Sequence, residues 1–80
     1  MLSTSPMYKA IALDIAQRII NEEFPVGSKL SGRSLLAGQY NVSPETIRKA
    51  IAMLKEAGVV TVSQGKEIVV VSVDNAYSFI

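Results

Sequence analysis

Eighty residues permit one small domain with a modest core, and the apolar fraction of 49% is that of a folded chain rather than a disordered one. There is no Cys and no His, which excludes disulfide staples, thiolate chemistry, the usual zinc sites and any imidazole triad. The net charge of +1 points to no partner by itself, but its distribution is uneven. From Lys29 to Lys66 six basic residues stand against Glu45 and Glu56, a local +4, while the rest of the chain carries −3. A basic middle with acidic flanks suits a protein with one side facing nucleic acid.

Met1 to Tyr8 lacks the basic start and apolar stretch of a signal peptide, and residues 1–7 read as a flexible N-terminal tail. Ser3 or Ser5 is placed to start the first helix, with Pro6 in its first turn. Tyr8, Ile11, Ala12, Ile15, Ala16 and Ile19 recur at helical spacing and predict a helix that buries this stripe. It should end near Glu23, because Pro25 restricts Phe24 and Pro25-Val26-Gly27 reads as a turn. Lys29-Leu30 is short and at most extended. A second helix is expected near residues 32–39, capped by Ser31, with Leu35, Leu36 and Tyr40 as its apolar face.

Asn41, which tolerates the left-handed region, closes that helix. Ser43 then reads as an N-cap, with Pro44 at the first helical position and Thr46 at the third. Glu45 favours the positive end of the helix dipole. The third helix runs to about Ala57, with Gly58 just past its end, and Ile47, Ala50, Ile51 and Leu54 on one side. Residues 59–62 and 66–73 are β-branched runs joined by Ser63-Gln64-Gly65-Lys66, an antiparallel hairpin. One face of the second strand should cover the helices, and the other needs a further partner. The last seven residues read as a linker or the start of another domain, being too apolar for a free end.

The predicted fold class is therefore mainly α with a small hairpin: a winged helix-turn-helix, three helices plus an antiparallel wing, over residues 8–73. A tight connection between the second and third helices is what that motif requires. The major groove of DNA admits an α-helix, and the leading turn of such a helix points into it. Here that turn offers Ser43, Glu45, Thr46, Arg48 and Lys49. Arg48 can fork onto a guanine edge or clamp a phosphate, and Glu45 can accept from a cytosine amino group. In a winged helix Gln64-Gly65-Lys66 is the wing tip, where Lys66 can reach phosphates or the minor groove.

The ordered set Tyr8…Ile11…Ile15…Ile19, Pro25-Val26-Gly27-Ser28-Lys29-Leu30, Leu36-Ala37…Tyr40-Asn41-Val42-Ser43, Thr46-Ile47-Arg48-Lys49-Ala50, Leu54…Gly58-Val59-Val60 and Gln64-Gly65-Lys66 resembles the N-terminal DNA-binding domain of the GntR family of bacterial transcription regulators. The resemblance covers about four fifths of the chain, Tyr8 to Ser72. It implies a double-stranded DNA operator as partner, dimers on operator half-sites, and contacts from Ser43, Pro44, Glu45, Thr46, Arg48 and the Gln64–Lys66 turn, to which the leading turn itself adds Lys49. It also implies an arginine in the second helix. Most members read Leu-Pro-Ser-Glu-Arg there, whereas this chain reads Leu30-Ser31-Gly32-Arg33-Ser34, with the basic residue one place earlier and Ser34 at the usual arginine position. That segment, with Ser43-Pro44-Glu45-Thr46, is similar to a subgroup in which a TrkA-C-type domain sensing a cyclic dinucleotide follows. The resemblance thus implies a ligand-responsive repressor, a homodimer or higher even oligomer, with a small-molecule effector bound by a domain outside these residues, and the sequence's lack of a signal peptide or membrane-length apolar run makes the cytoplasm its expected place.

Two other functional classes are set against this reading. A winged helix used only as a protein-interaction module fits the low total charge and the apolar tail. An enzyme would have to work with carboxylates, Lys or Tyr, and no two carboxylates converge in a motif, so no catalytic residue, cofactor or metal is assigned. No apolar run is long enough to span a bilayer, so no membrane partner is expected.

Overall fold

A computed structural model describes residues 7–64 and 67–80. The element order is α1 (Met7–Ile20), α2 (Arg33–Tyr40), α3 (Pro44–Glu56), β1 (Val60–Val62), β2 (Ile68–Val70) and α4 (Val73–Phe79). Among these described residues no helix is long and apolar enough to cross a membrane.

The predicted stripe of α1 is the one that is buried: Ile11, Ala12, Ile15, Ala16 and Ile19 face inward, and Tyr8 is half-buried at its start. The suggested caps Ser3 and Ser5 and the tail residues 1–6 lie outside the described residues. Met7 is already helical. The helix stops at Ile20, before the expected end near Glu23. Glu22 takes a left-handed conformation (φ 67°), and the amides of Glu23 and Glu22 return to the carbonyls of Arg18 and Ile19 at 2.9 and 3.1 Å. This six-to-one closure satisfies carbonyls that a longer helix would have used. The same device ends the next two helices. Asn41 (φ 57°) is the left-handed residue after α2, with the Val42 amide on the Ala37 carbonyl. Gly58 (φ 78°) follows α3, with the Val59 amide on the Leu54 carbonyl.

The second helix departs from expectation at its start and on its face. Its N-cap is Gly32 rather than Ser31, with no side-chain bond to the first turn. Leu36 and Ala37 are buried, but Leu35 is 59% exposed. One residue is about 100° around a helix, so Leu35 and Ala37 flank Leu36 on opposite sides and only one can share its buried position. Tyr40 ties α2 to α1: its hydroxyl donates to Asp14 Oδ2 at 2.6 Å and accepts from Arg18 Nη1 at 3.0 Å. Burial, and then the bond to Asp14, push its phenol above the ordinary tyrosine value despite Arg18.

All four expected core positions of α3 (Ile47, Ala50, Ile51 and Leu54) are buried, and α3 packs across α1 and α2. The hairpin pairs Val60 with Val70 and Val62 with Ile68. Ile68 and Val70 turn into the core, while Val69 is half-buried and Val71 exposed. Lys29 forms a bridge to Val69 on the other edge of β2. The Leu30 amide bonds to the Ile68 carbonyl at 2.8 Å, and the Val70 amide to the Ser28 carbonyl at 3.0 Å. The extended Lys29-Leu30 segment is therefore the third rib of the wing's base.

The second β-branched run is shorter than its composition suggests. It ends as a strand at Val70, and Ser72 caps a fourth helix, its Oγ accepting from the Asn75 amide at 3.0 Å. This helix packs on α1 through the buried Ala76. Asn75 Nδ2 donates to the Gly58 carbonyl at 3.0 Å, joining the end of α3 to α4. A Cβ at Gly58 would lie 2.7 Å from that Nδ2. Gly58→Ala should therefore destabilise the domain by at least the roughly 1–2 kcal/mol of a left-handed non-glycine residue. Glu22→Gly, at a left-handed site occupied by a non-glycine, should raise the thermal midpoint instead. Circular-dichroism melts of the two variants test this opposition in sign.

Candidate nucleic-acid interface

The buried stripe of α3 dictates what its opposite faces show. With positions 47, 50, 51 and 54 inward, Glu45, Arg48, Lys49, Ala52, Lys55 and Glu56 are exposed. At the start of the helix Ser43 is the N-cap and Pro44 the first helical residue, as expected. Ser43 Oγ accepts from the Thr46 amide at 3.4 Å and lies 3.1 Å from the Thr46 hydroxyl. Ser43 and Pro44 are exposed and Thr46 half-buried, so the first turn is a solvent-facing rim of short polar groups.

Arg48 and Glu45 form a two-point ion pair on that rim. Arg48 Nε donates to Glu45 Oε1 at 3.0 Å, and Nη2 donates to Oε2. The bond from Arg48 holds the Glu45 carboxyl below the ordinary glutamate range, and the same bond raises the guanidinium further. Both side chains are more than half exposed, so the pair is an orienting contact more than a stabilising one. With Nε and Nη2 both bonded to Glu45, Nη1 is the guanidinium nitrogen that the pair leaves unused.

The basic middle of the sequence is thereby divided. Lys29 is paired with Glu67 at 3.0 Å at the wing's base, and Arg48 is paired with Glu45. Lys49 lies over the Tyr8 ring at 5.8 Å and so is directed toward α1. Among the described residues, Arg33 and Lys55 have no carboxylate within ion-pair distance. Arg33, Arg48 and Lys55 line one open cleft of about 280 Å³, with Ile51, Ala52 and Val62.

Of the sequence-predicted site residues, the structure brings Arg33 and Arg48 together in this cleft, beside the rim of Ser43, Pro44, Glu45 and Thr46. Ser34 is exposed on α2 but does not line the cleft. Gln64 is an exposed turn residue after β1. Gly65 and Lys66, the expected wing tip, lie outside the described residues. Lys55 was not among the candidate contacts. Its signal was the spacing Arg48, Ile51, Ala52, Lys55, one face of a helix over two turns.

The sequence matches the family described as bacterial regulatory proteins, gntR family, over residues 7–70. It is 35% identical over 77 residues to an HTH-type transcriptional repressor of Salmonella typhimurium, covering 96% of this chain and 32% of that protein. It is 39% identical over 66 residues to the Exu regulon transcriptional regulator of Escherichia coli, covering 82% of this chain and 26% of that protein. The chain thus spans about a quarter to a third of the length of these curated relatives. Among solved structures, the fold is similar to S. agalactiae BusR in complex with its busAB-promoter DNA. The TM-score is 0.86 at 39% identity, over 96% of this chain and 37% of that one. It is also similar to YtrA from Sulfolobus acidocaldarius, a GntR-family transcription factor, with TM-score 0.80 at 34% identity over 88% of this chain and 73% of that one.

The ion pair makes a prediction that needs no ligand. A carboxyl whose pKa is depressed in the folded chain stays ionised through the ordinary glutamate range. The Glu45–Arg48 contact should therefore be complete at neutral pH and dissolve only as the pH falls through the lowered value. A carboxyl ¹³C NMR titration should place the Glu45 midpoint below that of an unpaired glutamate. Arg48→Gln should return it to the ordinary range.

Proposed function

This chain belongs to the GntR family of bacterial regulatory proteins, as its winged helix-turn-helix DNA-binding domain, and from that premise we propose that it reads an operator in double-stranded DNA with α3 as the recognition helix. The observation that carries the assignment is the two-sidedness of α3. Ile47, Ala50, Ile51 and Leu54 fix one side in the core, and the capped first turn presents Ser43, Thr46 and the braced Arg48 outward. A helix entering the major groove needs this arrangement, because its base-reading groups must be held without backbone freedom.

The roles follow from the chemistry of each group. Arg48, steadied by Glu45, is suited to the two acceptors on a guanine edge, and Glu45 to the amino group of a cytosine. Ser43 and Thr46 offer hydroxyls to phosphates or base edges. Pro44 fixes the entry angle of the turn. Arg33 and Ser34 at the start of α2 and the wing turn Gln64, Gly65 and Lys66 supply backbone contacts, which position a protein on DNA without carrying sequence information, and Lys49 joins them by swinging off the Tyr8 ring. BusR, similar in fold and 39% identical, has been solved with its promoter DNA, which supports this reading.

We further propose that the whole protein is a cytoplasmic, ligand-responsive repressor that binds its operator as a homodimer or higher even oligomer. A domain outside these residues binds the small-molecule effector. The supports are the short share of each relative that this chain spans and the repressor role printed for the Salmonella relative. Residues 74–80, which begin just inside α4, are in this reading the approach to that domain.

Fluorescence anisotropy with a duplex selected from a random pool tests the DNA assignment. The wild-type affinity should fall steeply as salt rises, as phosphate contacts require. Arg48→Ala should cost about 1–3 kcal/mol on the selected duplex and relax preference at one base pair. An affinity that ignores both salt and sequence would contradict the assignment.

A further inference from the structure

Arg33, Arg48 and Lys55 come from different elements or different turns, yet they border one cleft. Its floor is Ile51 and Ala52 of α3 and Val62, the last residue of β1. The three cations are not equivalent. Glu45 neutralises Arg48, while Arg33 and Lys55 face no carboxylate among the described residues. The cleft therefore keeps an uncompensated double positive charge over an apolar base. Its volume, about 280 Å³, falls below the roughly 300–1,000 Å³ of sites that enclose a small molecule, and it is open to solvent. An anion presented by a larger body fits it better than a small ligand held alone.

The position along α3 says which anion. Lys55 is seven residues beyond Arg48, about 10.5 Å along the helix axis at 1.5 Å per residue. Base edges are read from the first turn of a recognition helix, so a cation two turns further on, sharing an open cleft with Arg33 of the neighbouring α2, is placed for the sugar–phosphate backbone rather than for bases. We propose that the cleft between α3 and the wing is a phosphodiester site, in which Arg33 and Lys55 grip one backbone phosphate of the DNA while Ala52 and Val62 pack against its sugar. This rests on the DNA-binding reading above. It adds Lys55 as a contact, and it gives the cleft a sequence-independent task distinct from the base-reading task of the Glu45–Arg48 pair.

The test is a salt series, 50 to 200 mM, on matched and scrambled duplexes with wild type, Lys55→Gln and Lys55→Arg, and Lys9→Gln of α1 as a charge-matched control. Loss of one phosphate contact lowers the slope of log affinity against log salt by about 0.9. The Lys55→Gln defect should therefore shrink about 3.5-fold across this fourfold range. It should be equal on both duplexes and reversed by Lys55→Arg, with the Lys9→Gln slope unchanged. A steep wild-type slope that Lys55→Gln leaves intact would overturn the proposal, as would a defect confined to the matched duplex. An amide NMR titration with inorganic phosphate separates the sources. Saturation by free phosphate at millimolar concentration with no change in the DNA slope would make this a free-anion site and overturn the backbone role. If wild type binds no duplex while phosphate still shifts Arg33 and Lys55, the DNA-binding reading fails and the anion-binding cleft stands.

Discussion

Everything that α3 displays follows from what it hides. Ile47, Ala50, Ile51 and Leu54 are essentially without solvent contact, packed against the equally buried Ile15, Ala16 and Ile19 of α1 and Leu36 and Ala37 of α2. Side chains of this size each contribute about 1.5–3 kcal/mol when fully buried, so in a small domain this packing outweighs any surface contact. A helix pinned along one stripe cannot rotate. Its remaining positions are set in space as firmly as the core is, and the exposed groups at 45, 48, 52 and 55 inherit that rigidity. No ion pair on this surface could supply it, since the pairs present are exposed and of small energetic weight.

The ends of the helices complete the frame. Three successive helices close on a left-handed residue (Glu22, Asn41 and Gly58), so each turn is short and its carbonyls are satisfied. The turn after α2 sets the crossing of the helix-turn-helix, and the Asp14–Tyr40–Arg18 bonds anchor it to α1. The turn after α3 sends the chain directly into β1 and is buttressed from α4 through Asn75. The wing is thus held at both ends of its base, by the Lys29-Leu30 rib on one edge and by the α3–α4 junction below.

Most of this was legible in the sequence because the signals were redundant. The stripe of α1, the Ser43-Pro44 start and the Ala57-Gly58 end of α3 each combine periodicity with a capping residue. What misled was local and ambiguous. Ser31 is as good a cap as sequence offers, but the chain enters α2 through an extended Gly32. Leu35 and Leu36 look equivalent until packing chooses one. Five of the six residues 68–73 are β-branched, which concealed the Ser72 cap among them and the helix that follows. At the interface, Arg48 was visible from its place in the first turn. Its tie to Glu45 is an i, i+3 pair within α3 that the spacing already allowed. The gathering of Arg33 with Lys55 depends on how α2 is set against α3, and no linear pattern records that.

In the DNA-binding reading proposed above, the rim of α3 and the cleft beside it form one continuous DNA-facing surface, while α1 and α4 serve as its support. Amide chemical-shift mapping of the ¹⁵N-labelled chain with a selected operator duplex tests it directly. The largest changes are expected at Arg33, Ser43, Thr46, Arg48 and Lys55, with the outward residues of α1 and α4 nearly still. Changes centred on Leu13, Tyr77 or the rest of the α1–α4 side, with α3 unmoved, would contradict it.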